Sequence, residues 1–243
     1  MKEIAILIIL FASSSVFFAQ IHRSKNEEQL YSFAETENGE KQSPINIPEY
    51  IVKHKDLQIE RNYLNSKLSV SNLGHTIQFN YDIGSGLKFN NQLFDLIQFH
   101  FHTPSEHLLG SVTYPLEMHI VHTLRNNPNS ETEYVVIGVL FKEGKENPIL
   151  KKILDNIPPA GKTIKNENIS ISIDDFFNAH NDFYYYEGSL TTAPFTETVR
   201  WIVLGKIYEA SYAQIKKFNS LMGNNARHIQ AINGREITIN SGL

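Results

Sequence analysis

Cysteine is absent from all 243 residues. Disulfide bridges are therefore excluded, as is a lipid anchor on an N-terminal cysteine, and the fold must rest on its core. A chain of this length can bury enough apolar surface to stand without covalent staples. Any excess of basic charge is also missing: 22 Lys and Arg against 26 Asp and Glu give a formal net charge of −4. That leaves no electrostatic footprint for nucleic acid, which is excluded as a partner. Neither a repeat period nor a low-complexity tract interrupts the sequence. An apolar run able to span a bilayer is lacking too, since about 20 residues are needed and the run from Ile4 to Ala12 stops well short. That run lies between Lys2 and small residues ending at Ala19, the layout of a secretory signal. The expectation is a signal peptide over residues 1–19, a polar linker over 20–30 and one domain over 31–243. With cleavage after Ala19, the mature protein would be periplasmic or secreted and free of the membrane.

What is present is a series of short β-type runs separated by turn residues. "KLSVSNLGHTIQFNY" alternates around Asn72-Leu73-Gly74; "LFDLIQFHFH", "LEMHIVHTL", "EYVVIGVLF", "NISISI", "VRWIVL" and "REITIN" follow. Proline is missing from their interiors, as central strands require. Only two stretches read as helices. "NPILKKILDNI" puts Ile149, Leu150, Ile153 and Leu154 on one face behind Pro148, and "SYAQIKKFNSLMG" opens with Ser211 and Gln214 spaced as a capping box and closes at Gly223. Many strands and few helices predict one β-dominated domain.

One stretch carries the chemistry: "QFHFHTPSEH", Gln98 to His107. Side chains alternate along a strand, so His100, His102 and Gln98 share one face while Phe99 and Phe101 take the other. "LEMHIVH" repeats the pattern, with Glu117, His119 and Val121 on one face and Met118, Ile120 and His122 on the other. Thr103 to Pro115 is long enough to return the chain antiparallel and bring His119 opposite the first pair. Three neutral imidazoles on two strands make a metal site with one open corner, which suits Zn2+ in a catalytic role. Gln98 and Glu117, each two residues before a ligand on the same face, are placed to hold the second ring nitrogens. His107 fits a structural hydrogen bond and His122 core or interface packing, while His22, His54, His180 and His228 show no local pattern.

"QSPINI", "SNLGHTIQF", "LIQFHFHTPSEH", "LEMHIVH", "GSLTTAPFTETVRWIV" and "NARHIQAINGREI" together resemble the α-class carbonic anhydrases of bacterial type, over the chain from about Phe33 onward. The resemblance implies a large twisted, mainly antiparallel sheet with a few peripheral helices. It implies zinc on His100, His102 and His119, and reversible hydration of carbon dioxide to bicarbonate and a proton by zinc-bound hydroxide. The cation would move the pKa of bound water from about 15.7 to about 7, a shift for which carbonic anhydrases are the standard example. By the same resemblance, Thr191 passes its hydroxyl proton to Glu106 and so orients the attacking oxygen, and Thr192 contacts bicarbonate. Val121, Val136, Leu190, Val199 and Trp201 form the apolar wall for carbon dioxide, the Asn225 main-chain carbonyl steadies His102, and His75 is the proton shuttle.

The N-terminal part departs from the family. Tyr31 and Phe33 stand where a Trp-x-Tyr pattern is usual, the link to Gln42 is short, and Leu73 replaces a rim asparagine. Altered, slower proton transfer is the expectation. An alternative reading is a catalytically silent carbonic-anhydrase-like binding domain, although silent relatives commonly lose a ligand histidine and all three are present here. A periplasmic zinc carrier would want exposed, flexible ligands rather than these. A homodimer is left open by the sequence.

Overall fold

The computed structural model describes residues 39–51, 53–129, 131–177, 182–241 and 243. The expected signal and linker, and the pair Tyr31 and Phe33, lie outside the described residues. In chain order the strands are β1 (Asn46–Ile47), β2 (Ile59–Asn62), β3 (Ser66–Asn72), β4 (Ile77–Asn80) and β5 (Gly86–Phe89). Then come β6 (Gln92–His102), β7 (Leu108–Leu109), β8 (Val112–Thr113), β9 (Leu116–Leu124) and β10 (Tyr134–Glu143). The set closes with β11 (Lys162–Ile171), β12 (Phe183–Gly188), β13 (Val199–Leu204), β14 (Tyr208–Ala210) and β15 (Thr238–Asn240). Helix α1 (Pro148–Leu154) follows β10, and α2 (Tyr212–Met222) follows β14.

One sheet dominates, in the order β11-β3-β4-β6-β9-β10-β13-β12-β15, with β14 on β10 and β2 on β5, which borders β6. Its pairings are antiparallel except β10 with β13 and β10 with β14. The β-dominated architecture read from the sequence is therefore present, in one unit from Gly39 to Leu243. Two elements are differently sized from their sequence patterns. Only Asn168–Ile171 of "NISISI" is strand, as the end of the longer edge strand β11, and within "REITIN" only Thr238–Asn240 pairs, with β12.

The central strands are buried on both faces, so each face carries its own core. On one side Phe99, Phe101, Met118, Ile120, Ile137 and Val139 pack beneath α1 and α2. Phe101 meets Phe218 of α2 at a 4.5 Å ring separation, and burying each such side chain contributes about 1.5–3 kcal/mol. On the other side Val121, Val136, Leu140, Tyr186, Val199 and Trp201 form a second cluster. Both helices start at one buried amide. Ser211 and Gln214 close a capping box, and Gln214 also bonds both main-chain groups of Asn147, at 2.9 and 2.7 Å, which in turn caps α1.

His122 is buried in the first of these cores. Its Nδ1 donates to the Val135 carbonyl at 3.1 Å, which leaves Nε2 to accept from the Tyr63 hydroxyl at 3.0 Å. Burial lowers its pKa to about 4, against the pull of the Val135 and Ile120 carbonyls. The unfolded chain, at an ordinary histidine pKa of about 6.5, binds a proton in this range that the folded protein refuses. Stability is therefore expected to fall as pH drops from about 6.5 towards about 4. A His122→Asn variant should lose up to about one proton, or 1.4 kcal/mol per pH unit, from the slope of unfolding free energy against pH. Denaturant melts between pH 7 and 4 measure it, and parallel slopes for the two proteins would refute the assignment.

Candidate metal centre

The site begins with an irregularity in β6. Phe94 and Leu96 pack into the same core as Phe99 and Phe101, although strict alternation would put even and odd positions on opposite faces. A register shift between Leu96 and Gln98 reconciles them, with Ile97 pushed out to 45% exposure. This bulge turns Gln98, His100 and His102 to the face opposite the phenylalanines; an unbulged strand would send them into the side occupied by Leu96. Antiparallel pairing with β9 then sets His100 against His119 and His102 against Glu117.

The three imidazoles converge. Ring centroids lie 5.0 Å apart for His100 and His102, 5.4 Å for His100 and His119, and 4.5 Å for His102 and His119. One ligand nitrogen from each falls within 4.8 Å of the others. Gln98 Oε1 accepts from His100 Nδ1 at 2.9 Å, and Glu117 Oε1 accepts from His119 Nε2 at 2.9 Å. These bonds fix the tautomers and leave His100 Nε2 and His119 Nδ1 with free lone pairs. His102 has both ring nitrogens buried without a hydrogen-bond partner. The Asn225 main chain lies close enough to favour a protonated His102, though not in full hydrogen-bonding geometry.

Burial pushes all three imidazole pKa values down, His100 well below its ordinary range with added repulsion from His102 and His119. That of His102 falls to about 4 by burial, against the attraction of Glu117. His119 is lowered by burial against the same carboxylate. Neutral imidazoles at neutral pH can ligate a cation without first losing a proton. His102, buried with neither ring nitrogen hydrogen-bonded, is costly in such a cluster unless something electrophilic sits among the three rings. The donor set therefore fits a metal ion, and nitrogen donors of this kind suit zinc.

Glu117 anchors the arrangement. Its carboxylate accepts from the backbone N–H groups of Glu106 and His107, both at 2.8 Å, and from His107 Nδ1 at 2.7 Å, besides His119. Burial would raise its pKa, but the His107 and His119 rings override that and hold it well below the usual carboxylate range. Gly138 of β10, opposite His119, makes the room, since a Cβ there would lie 3.0 Å from Glu117 Oε1. His107 Nε2 continues to the Tyr186 hydroxyl at 2.6 Å, whose oxygen lies 3.0 Å from Ser43 Oγ. His107, Glu117 and His119 thus form a hydrogen-bonded triad rather than a second ligand set, and the structural hydrogen bond read for His107 is present.

Glu106 lies 3.4 Å from His102 Nδ1. Burial raises its pKa, opposed by His119, the Arg227 N–H and the Thr191 hydroxyl. Arg227 N reaches Glu106 Oε1 at 2.9 Å, while Oε2 has no donor within hydrogen-bond geometry. Val121, Val136, Val199 and Trp201 gather in the second core with Leu190 packed against it, and Thr192 is exposed. His75 is exposed on the β3–β4 turn, close enough to act Coulombically on His100 and His102. His54 and His228 are exposed and stand apart from the cluster; His22 and His180 lie outside the described residues.

Sequence reading missed the support behind the triad. Tyr186, Ser43, Ser189, Gln42 and Arg227 interlock, with Arg227 donating to the Ser43 carbonyl and to Gln42 Oε1, and Trp201 Nε1 donating to Ser189 O at 3.0 Å. Gln42, Ser43, Ser189 and Arg227 were marked in the sequence by membership of the stretches "QSPINI", "GSLTT" and "NARHIQ", and Tyr186 by the aromatic run "FYYYEG".

The comparisons agree with one another. The family model described as eukaryotic-type carbonic anhydrase matches residues 25–241. A carbonic anhydrase of Nostoc sp. is 39% identical over 208 residues, covering 84% of this chain and 77% of that one. A hyperthermostable carbonic anhydrase from an active hydrothermal vent chimney is 42% identical with a TM-score of 0.77, covering 87% of this chain and 91% of that one. The α-carbonic anhydrase of Thermovibrio ammonificans, solved with the inhibitor sulfanilamide, is 36% identical with a TM-score of 0.77, covering 86% of this chain and 91% of that one.

Proposed function

The chain is a carbonic anhydrase of the eukaryotic-type, or α, family, and from that premise we propose that His100, His102 and His119 hold a zinc ion at which carbon dioxide is reversibly hydrated to bicarbonate. Zinc bound there supplies Lewis acidity, which makes a nucleophile of water near neutral pH. The observation that carries this reading is the convergence of three neutral imidazoles, His102 and His119 buried and His100 partly so, with two second nitrogens committed to Gln98 and Glu117 and none satisfied on His102.

Around that trio each residue has a task. Thr191 gives its hydroxyl proton to Glu106, so its oxygen must act as an acceptor towards the attacking oxygen and selects the lone pair that faces substrate. Val121, Val136, Leu190, Val199 and Trp201 exclude water and accommodate a linear apolar molecule, and Thr192 contacts the bicarbonate product. His75, exposed on the β3–β4 turn, accepts the released proton through water and yields it to buffer. We further propose export of the mature chain to the periplasm or beyond after removal of residues 1–19.

Stopped-flow carbon dioxide hydration on the mature protein tests the whole reading, with metal counted in the same preparation. One zinc per chain and turnover that a chelator removes are expected; stoichiometric metal without turnover would establish the silent binding domain instead. His75→Ala should lower kcat by about tenfold or more in dilute buffer, and added imidazole should restore it. Failure of imidazole to restore turnover would remove His75 from the proton path.

A further inference from the structure

His75 projects an exposed side chain, so its distance from the pocket is governed by the turn that carries it. Part of that turn is self-contained: Leu73 N donates to Thr76 O at 2.9 Å, and Gly74, at φ 84°, donates to Asn72 Oδ1 at 3.0 Å. The carbonyl of His75 itself is held from elsewhere, by Asn225 Nδ2 at 2.7 Å. The same amide nitrogen donates to Phe101 O at 3.1 Å, and Asn225 Oδ1 accepts from Thr103 N at 2.8 Å. Phe101 and Thr103 flank His102. One amide, with both donor hydrogens and its acceptor committed, therefore joins the turn of His75 to both sides of a metal-facing histidine.

We propose that the Asn225 side chain is a positioning residue for proton export, holding His75 at a fixed distance from the zinc-side water; this rests on the reading of His75 as the exporting group. The role is separate from that of the Asn225 main chain towards His102, which any residue at this position would retain. Proton transfer through water depends steeply on the separation and alignment of its end groups, and a shift of about 1 Å can cost up to about a hundredfold. Hydration at the pocket does not depend on where His75 stands. A lost tether should therefore slow proton export and leave the hydration step nearly intact.

Asn225→Ala deletes all three side-chain bonds, and Asn225→Ser, too short for the His75 carbonyl, is read in the same way should the alanine protein fail to fold. In dilute buffer kcat is expected to fall about tenfold and kcat/KM by a smaller factor, the latter set by the lost Phe101 and Thr103 bonds beside His102, with imidazole restoring kcat to the level that kcat/KM allows. In combination with His75→Ala, either change should add nothing to the His75→Ala loss, because both interrupt one path. Parallel losses of kcat and kcat/KM without imidazole rescue would make Asn225 merely structural and overturn the inference, as would an unchanged kcat. An unchanged kcat in His75→Ala alone would instead overturn the shuttle reading on which the inference stands.

Discussion

His119→Ala is expected to reduce carbon dioxide hydration by roughly three orders of magnitude or more and to lose its metal on dialysis. Among the described residues three imidazoles converge at this site, with ligand atoms within 4.8 Å of one another. Removing one leaves two donors, short of the three protein ligands a catalytic zinc uses. The neighbouring imidazole cannot substitute. His107 is the nearest additional imidazole, with rings 5.9 Å from His119, but both of its nitrogens are committed, to Glu117 and Tyr186. Folding should survive, because Glu117 keeps His107 and two backbone N–H donors when His119 is gone. Metal content by atomic absorption and stopped-flow turnover on a protein with native circular dichroism give the answer. A variant that keeps one zinc per chain and near-normal turnover would sink the ligand assignment.

Much of that site was legible because strand alternation is a strong local rule. Two histidines two apart, a third on a returning strand, and a polar partner two residues before each strand's first ligand need only the 2.0 period and a plausible turn. The capping box at Ser211 and Gln214 was equally local, although its extension to Asn147 was not. The bulge at Ile97 escaped although "DLIQ" marks it: Leu96 and Ile97 set two apolar residues in succession just ahead of the alternating "QFHFH". The local phase of Phe99 and His100 read correctly only because the irregularity lies just upstream of them. Burial on both faces of β9 was also hidden, since His119 and Glu117 look polar until Trp201 and Val136 close over them. Long-range partners were the hardest. Tyr186 meets Ser43 across 143 residues and Arg227 meets Glu106 across 121, and no local pattern encodes such a meeting. The run "FYYYEG" of β12, rich in aromatic residues, was the missed clue to that layer.

Glu117→Ala should have the largest effect on stability of any single change at the site, about 3–5 kcal/mol. The carboxylate is fully buried and accepts four hydrogen bonds, from Glu106 N, His107 N, His107 Nδ1 and His119 Nε2. Alanine removes every acceptor and leaves those donors facing a cavity that no side chain nearby can fill. Each orphaned buried donor costs about 1–3 kcal/mol, partly offset where water enters the space. Glu117→Gln separates charge from shape. Its amide oxygen can still accept from one side, but its NH2 faces donors, and the His119 tautomer loses the anion that enforces it. Zinc affinity should then weaken by about 10–100-fold, the usual loss when a ligand's hydrogen-bond partner is removed. Denaturant unfolding of the metal-free proteins measures the first effect, and zinc competition with a chromophoric chelator the second. If glutamine unfolded as early as alanine, charge rather than bonding capacity would dominate here. If both variants matched the parent in stability and zinc affinity, the carboxylate would be a bystander, and the chain of bonds from His119 to Tyr186 would carry no energetic weight.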